Sequence, residues 1–227
     1  ELVSRCINIS SKDALVLDFF SGSATTAHAV MQLNAEDGGH RKFIMVQLPE
    51  ATDEGGTAYK AGYRNICEIG KERIRRAGAK IAAEAGEKAA DLDLGFRCLR
   101  LDTSNMTDVY YAPDAVTQDG LFAQVDNVKA DRTPEDLLIQ TMLDLGILLS
   151  EPIAVEEIAG RRVFNVADGF LLACFDRDVT DETVTAIAKR KPYYAVFRDA
   201  SMADDSALTN FDQLFAAYSP ATVRRVL

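Results

Sequence analysis

Short apolar runs alternate with segments of helical periodicity in the first third of the chain. The continuous runs 14–17 and 43–46 are typical of strands buried on both faces of a parallel sheet. The segment between them, 23–33, has the three- and four-residue apolar spacing of a helix. This order predicts a βαβ unit with a right-handed crossover, and hence an α/β fold for this part of the chain.

A strongly amphipathic helix is predicted over residues 63–81, and the stretch after Gly86 is typical of a linker. We therefore expect one domain over residues 1–90 and a smaller α/β or α+β domain over residues 95–227. The elements predicted for the second domain are a strand at 96–101, a helix beginning at Thr133-Pro134, a hairpin of 163–166 and 170–175, a helix at 180–191, a strand at 195–197, a helix at 206–218 and a strand at 223–226.

Composition excludes several classes of protein. The net charge of −10 argues against this chain carrying the main nucleic-acid surface, because such surfaces are usually basic. No apolar run is long enough to cross a bilayer, so no membrane association is expected and a cytoplasmic location is predicted. The four cysteines lack CxxC spacing and there are only two histidines, which predicts no metal site and reduced, mostly buried thiols.

The segment from Val16 to Thr26 is the one that indicates chemistry. Its small residues let a backbone approach a ligand closely, and the amides at the following helix N-terminus favour a carboxylate or a phosphate. Ser23 is expected to cap that helix. The phosphate-binding pattern GxxxxGK[ST] and the dinucleotide pattern GxGxxG are both absent, so a tight turn without a ligand remains an alternative.

The sequence Asp18-Phe-Phe-Ser-Gly-Ser-Ala-Thr-Thr26 resembles the cofactor motif of amino-methylating DNA methyltransferases, in the class where the catalytic motif comes first. Further segments resemble the modification subunit of type III restriction-modification systems, so that the resemblance covers nearly the whole chain. These segments are 27–34, 41–50, 69–78, 95–102 and 197–201.

The resemblance implies a C-terminal fragment of a site-specific adenine DNA N6-methyltransferase. Residues 1–90 would form a partial Rossmann-like methyltransferase sheet that binds S-adenosylmethionine, with Gln47 or Glu50 holding the ribose. Residues 95–227 would mediate dimerisation or contact with a restriction-nuclease subunit, and DNA would be bound mostly by regions outside this chain. The cofactor-binding residues implied are Asp18, Phe19, Phe20, Ser21, Gly22, Ser23, Thr25, Thr26, Gln47 and Glu50.

Two departures from the family pattern affect this interpretation. The catalytic Asp-Pro-Pro-Tyr is missing, and Lys191-Pro-Tyr-Tyr194 is read as a helix stop with two packed tyrosines. No catalytic residue is therefore expected in this chain, which should be inactive alone. The family pattern usually has glycine in place of Ala24, whose methyl group is expected to crowd the methionine moiety.

Two other functions remain open at the level of sequence. One is an α/β enzyme that binds a different adenosine ligand with the same loop. The other is a non-catalytic subunit-interaction module whose loop is vestigial because of Ala24. Arg73, Arg76 and Lys80 share a helical face that suits phosphate contacts, but pairing of Glu72 with Arg76 favours a solvated face.

Overall fold

The structure is a computed structural model that describes residues 2–107, 127–199 and 205–227, without the side chains of 205–209. The chain divides into two compact units, Glu1–Leu101 and Asp102–Leu227. The boundary lies beyond the predicted position near residue 90, and the second unit is the longer of the two rather than the smaller.

The first unit is built around a pair of strands and the helices that pack on one face of them. Its elements in chain order are α1 (Leu2–Asn8), β1 (Leu15–Phe19), α2 (Thr25–Asp37), β2 (Lys42–Val46), α3 (Thr57–Lys60), α4 (Ile66–Ala85) and a 3-10 helix (Gly86–Asp91). Strands β1 and β2 are parallel and α2 connects them, which confirms the predicted βαβ arrangement.

Burial of the two strands differs from the prediction. On one face, Val16, Phe43 and Met45 pack against α2 and its neighbouring helices. The other face is open within this unit, because none of the unit's described elements covers it. A parallel sheet normally has helices on both faces, so apolar composition alone predicted burial on both. The open face carries Leu15, Leu17, Phe19, Ile44 and Val46, which are 41% to 61% exposed.

The predicted amphipathic helix is α4, and its apolar face forms the core of this unit. Ile74, Ala77 and Ile81 pack against α2. The helix begins later than predicted because Asn65 caps it, with its side-chain oxygen accepting a hydrogen bond from the backbone N–H of Glu68 at 3.0 Å.

The strand predicted at 96–101 is absent from the structure, although these residues are described. Phe96 packs against the core between α2 and α4 instead, together with Leu92 and Leu94. Leu99 and Leu101 are exposed. Of the alternating apolar residues, only Phe96 therefore covers a helical surface, and no neighbouring strand is present in the described part of this unit to pair with the segment.

The second unit contains a five-stranded mixed sheet in the order β3-β4-β5-β6-β7. The pairs β3–β4 and β4–β5 are antiparallel, whereas the pairs β5–β6 and β6–β7 are parallel. Its elements are α5 (Pro134–Asp144), β3 (Ile153–Ile158), β4 (Arg161–Val166), β5 (Leu171–Cys174), α6 (Asp181–Lys189), β6 (Tyr194–Phe197), α7 (Asp205–Tyr218) and β7 (Val223–Val226).

Most predicted elements of this unit are confirmed, including the hairpin of β4 and β5 and the terminal strand β7. Thr133 caps α5 in a capping box with Asp136. Strand β3 was not predicted. It lies at a sheet edge and is partly exposed along its whole length, so its mixed sequence lacks a regular alternation of apolar and polar residues.

The cysteines are less buried than predicted. Cys6 and Cys98 are exposed and Cys67 is intermediate, and only Cys174 is buried. Among the described residues, no group of three or more histidine, cysteine or acidic side chains is placed to hold a metal ion. No helix described in either unit is long and apolar enough to span a membrane.

Candidate functional site

The loop between β1 and α2 lies at the carboxyl ends of both parallel strands, the edge at which open α/β sheets bind ligands. The residues predicted for the site come from this loop and from the segment after β2, and parallel pairing brings the two together. In the strand register Phe19 faces Val46, so the loop begins directly beside Gln47.

The backbone of the loop is strained. Phe20, Gly22 and Ala24 have φ angles of 60°, 54° and 59°, so every second residue is left-handed. This conformation costs residues with a side chain about 1 to 2 kcal/mol each, whereas glycine adopts it freely. Strain of this kind persists only where the surroundings impose it, and it is concentrated at ligand-binding sites.

Three hydrogen bonds impose the shape of the loop. The backbone N–H of Ser21 donates to the carbonyl oxygen of Val46 at 3.2 Å. The N–H of Gly22 donates to Oε1 of Gln47 at 2.7 Å. The hydroxyl of Thr26 donates to the carboxylate of Asp18 at 2.5 Å, which joins the start of α2 to the end of β1. The loop is thus held from both strands.

The N-terminus of α2 is open to a ligand. Ser23 was predicted to cap this helix, but the capping position is Ala24, and no side chain in the described structure caps it. Because Ala24 is left-handed, the helix starts one residue later than predicted and the N-cap position is occupied by Ala24 instead of Ser23. Alanine has no side-chain oxygen that could accept a hydrogen bond from the first backbone N–H groups. The first backbone N–H groups, at Thr25 and Thr26, are therefore available to a negatively charged group.

The methyl group of Ala24 does not crowd the open side of the loop, contrary to the expectation from sequence. Ala24 is only 4% exposed and packs in the core between α2 and α4. Its Cβ faces Gly70 of α4, where an added Cβ would lie 3.5 Å from it. Gly70 therefore gives this methyl group its space.

Gly70 belongs to the site although sequence reasoning did not select it. An added Cβ there would also lie 3.5 Å from the carbonyl oxygen of Gly22, so α4 supports the loop from below. The available signal was a glycine within the apolar face of an otherwise regular helix, which indicates a close approach of another backbone.

The two residues predicted as alternatives for a ribose contact are in different environments. The Gln47 side chain is already committed, because its Oε1 accepts from Gly22 and its Nε2 donates to the carbonyl oxygen of Leu48 at 3.1 Å. Glu50 is held by its backbone, whose carbonyl oxygen accepts from Ile66 N–H at 3.0 Å, while the residue remains exposed.

Two aromatic side chains complete the site. Phe19 and Phe20 are 61% and 76% exposed, and the backbone of Phe20 is in the left-handed conformation. The loop and the segment after β2 thus offer exposed aromatic rings, an uncapped helix N-terminus and the exposed acidic residue Glu50, which can serve as an apolar surface, an anion site and a hydrogen-bond acceptor. These groups suit a ligand with an aromatic base, a hydroxylated sugar and a carboxylate.

The segment Lys191-Pro-Tyr-Tyr194 lies between the end of α6 and the start of β6, as predicted. Lys191 is left-handed, with a φ of 53°. Tyr193 stacks on Phe170 at a centroid distance of 5.0 Å, and Tyr194 pairs with Leu171 in the sheet. The segment is therefore a structural connection within the second unit.

The chain is similar in sequence to known DNA methylases and to subunits of restriction-modification enzymes. Residues 1–77 match the family described as DNA methylase. The chain is 50% identical over 103 residues to the Mod subunit of the type III restriction-modification enzyme StyLTI of Salmonella typhimurium, covering 45% of this chain and 16% of that protein. It is 36% identical over 169 residues to the EcoPI Mod subunit of Escherichia phage P1, covering 70% and 24%.

Similarity to a further Mod subunit extends over most of the chain. The match to the EcoP15I Mod subunit of Escherichia coli is 32% identical over 183 residues, which is 78% of this chain and 25% of that protein. The chain thus spans a quarter or less of the length of each of these relatives. The family match over residues 1–77 includes the loop cluster described above, and a match over 183 residues necessarily extends into both units.

Proposed function

We propose that this chain is the cofactor-binding part of a site-specific adenine DNA N6-methyltransferase of the type III modification kind. The match of residues 1–77 to the DNA methylase family and the similarity to Mod subunits support this proposal. The observation that carries this proposal is the strained loop held between Gln47 and Asp18, with the open N-terminus of α2 beside it.

The site suits S-adenosylmethionine group by group. The carboxylate of the methionine moiety would be bound by the free amides of Thr25 and Thr26. The adenine ring would pack on the exposed ring of Phe20. Glu50 would accept from the ribose hydroxyls, because Gln47 is engaged with Gly22.

Other predicted residues would act by shaping the loop. Asp18 braces α2 through Thr26, and Ser21 joins the loop to β2. Ser23 would line the approach to the helix, and Phe19 extends the apolar surface. The bound cofactor supplies the methyl group, and the task of these residues is to bind and orient it.

Methyl transfer requires a catalytic motif that holds the target adenine, and the 227-residue sequence does not contain it. An adenine that reacts at its exocyclic nitrogen must leave the base stack and be held by hydrogen bonds. We assign that role, and most contacts with DNA, to regions outside this chain. No Asp-Pro-Pro-Tyr occurs in the 227 residues, so the chain alone is expected to bind cofactor without methylating DNA.

The second unit suits contacts between proteins. Its sheet has β3 and β7 at its edges, and the chain as a whole is acidic. We propose that it mediates homodimerisation or contact with a restriction-nuclease subunit, in a cytoplasmic enzyme. Sedimentation of the 227-residue chain at several concentrations tests the dimer, and a monomer throughout would leave the nuclease contact as the role to test.

Calorimetry with S-adenosylhomocysteine, ATP and NAD tests the proposed function. S-adenosylhomocysteine should bind best, and Gly22→Val should abolish its binding because valine is strained at positive φ and adds bulk to the loop. Gly169→Val is the matched control, since Gly169 also has positive φ but belongs to the second unit. Tighter binding of ATP or NAD would instead identify an enzyme that uses a different adenosine ligand.

The interaction-module alternative has lost its main support. It rested on crowding by the methyl group of Ala24, which the structure places in the core between α2 and α4. It would be favoured again if none of the three ligands bound while the chain formed a stable dimer.

A further inference from the structure

A second concave surface lies in the first unit, between α2 and α4. It encloses about 370 Å³, and none of the residues implied for cofactor binding lines it. We call it the basic groove and define it by His28, Tyr63, Ile69, Glu72, Arg73, Arg76 and Lys80, which include three cations and one acid.

The charge of the groove is opposite to that of the chain. Helix α4 carries five basic and three acidic residues, whereas the whole chain has 25 basic and 35 acidic residues. Arg73, Arg76 and Lys80 follow one another at three- and four-residue intervals, so they form one row along the helix. The row spans about 10 Å at the helical rise of about 1.5 Å per residue.

Two of the three cations, Arg76 and Lys80, form ion pairs with acidic residues of the same helix. Nε of Arg76 lies 2.7 Å from the carboxylate of Glu72, and Nζ of Lys80 lies 3.7 Å from that of Glu84. Arg73 is exposed and forms no hydrogen bond or ion pair with the part of the chain that the structure describes. The pairing predicted for Glu72 and Arg76 is thus confirmed, but it leaves Arg73 unneutralised.

The effect of these charges extends to the floor of the groove. Burial lowers the pKa of His28, and the positive charges of Arg73 and Lys80 lower it further. The imidazole is therefore neutral at physiological pH and does not add to the charge of the rim. Beside it, Ile69 and the ring of Tyr63 supply apolar surface.

We propose that the basic groove binds the sugar-phosphate backbone of DNA. The cations of the row would contact successive phosphates of one strand, which are about 3.4 Å apart along the duplex axis. The apolar floor would pack against the sugars between them. Such contacts position a protein on DNA without reading its sequence. This inference rests on the proposed function, because a DNA methyltransferase must bind DNA, which is a polyanion.

Salt-dependent binding of the 227-residue chain to a fluorescent duplex of arbitrary sequence tests the groove. The double variant Arg73→Gln/Lys80→Gln should lower the slope of log affinity against log salt by about 2, since each phosphate contact contributes about 0.9. Its affinity at low salt should fall by roughly tenfold or more. The matched control is Arg75→Gln/Lys88→Gln, which removes the same charge from exposed positions of the same unit that do not line the groove.

Equal slopes for the double variant and its control would overturn the proposal, as would failure of the unmodified chain to bind duplex DNA. Displacement of DNA by poly-glutamate of equal total charge as readily as by unlabelled DNA would instead indicate an acidic protein partner. Binding of S-adenosylhomocysteine should be unchanged in both variants. If that ligand does not bind even the unmodified chain, the proposed function fails, whatever the result with DNA.

Discussion

Gln47 and Gly22 are joined across the two parallel strands by a hydrogen bond in which the glycine N–H donates to the glutamine Oε1 at 2.7 Å. The two residues are 25 positions apart in the sequence. One follows β2 and the other is the central residue of the strained loop after β1. The bond explains why a loop with three left-handed residues keeps a single shape without a glycine at each of them.

Loss of this hydrogen bond should weaken cofactor binding. In Gln47→Ala the N–H of Gly22 loses its acceptor, and a typical hydrogen bond contributes about 0.5 to 1.5 kcal/mol. We expect S-adenosylhomocysteine to bind roughly two- to tenfold more weakly in calorimetry. Gln47→Glu retains an acceptor oxygen and should keep the affinity. An equal loss in both variants would show that the amide itself contacts the ligand.

Phe20 should affect stability and binding in opposite directions. Its side chain is 76% exposed and its φ is 60°, so Phe20→Gly removes little buried surface and relieves a strain of about 1 kcal/mol. Thermal unfolding should therefore occur at a higher temperature, while binding of S-adenosylhomocysteine weakens through loss of the ring. Phe20→Asn is the control, because asparagine tolerates the left-handed region and also lacks the ring. Unchanged affinity in both variants would exclude stacking on Phe20.

Substitutions at Gly70 should separate helix propensity from support of the loop. In Gly70→Ala the new Cβ meets Ala24 and Gly22 at an ordinary contact distance of 3.5 Å, and alanine favours a helix by about 1 kcal/mol over glycine. This variant should be more stable and bind cofactor normally. Gly70→Val adds methyl groups against the loop and should lower both the melting temperature and the affinity.

The control for Gly70 is Gly78→Ala in the same helix. An added Cβ there meets Leu94 at 3.4 Å and is remote from the loop, so cofactor binding should not change. A full loss of affinity in Gly70→Ala would show that even a single methyl group displaces the loop.

The pH dependence of stability should reflect the ion pair between Asp37 and Arg41, whose guanidinium side chain is 1% exposed. Hydrogen bonding to Arg41 lowers the pKa of Asp37, so ionisation of this carboxyl stabilises the folded state above its unfolded pKa. This stabilisation is lost as pH falls from about 4 through the lower folded value. The melting-temperature difference between the wild-type protein and Asp37→Asn should therefore narrow in that range. A constant difference would contradict the assignment.

Local signals predicted most of the elements. The apolar runs located β1 and β2, and Thr133-Pro134 located the start of α5 through side-chain chemistry that acts over one helical turn. The failures share a cause. Whether 96–101 forms a strand depends on a neighbouring strand, and the burial of Leu17 depends on what covers the sheet. The local sequence of a strand does not specify whether a neighbouring strand or a covering helix is present.

The sequence by itself determined the resemblance to a methyltransferase cofactor motif and the strand-helix-strand order that carries it, because residue type and spacing are properties of the chain. Only the tertiary structure decided that Gln47 holds the loop and that Gly70 makes room for Ala24. It also decided that Arg76 and Lys80 have ion-pair partners, whereas Arg73 has none among the residues that the structure describes. Each of these depends on distances between residues that are remote in sequence or on competition among neighbouring charges. Such distances arise only when α2, α4 and the two strands pack together.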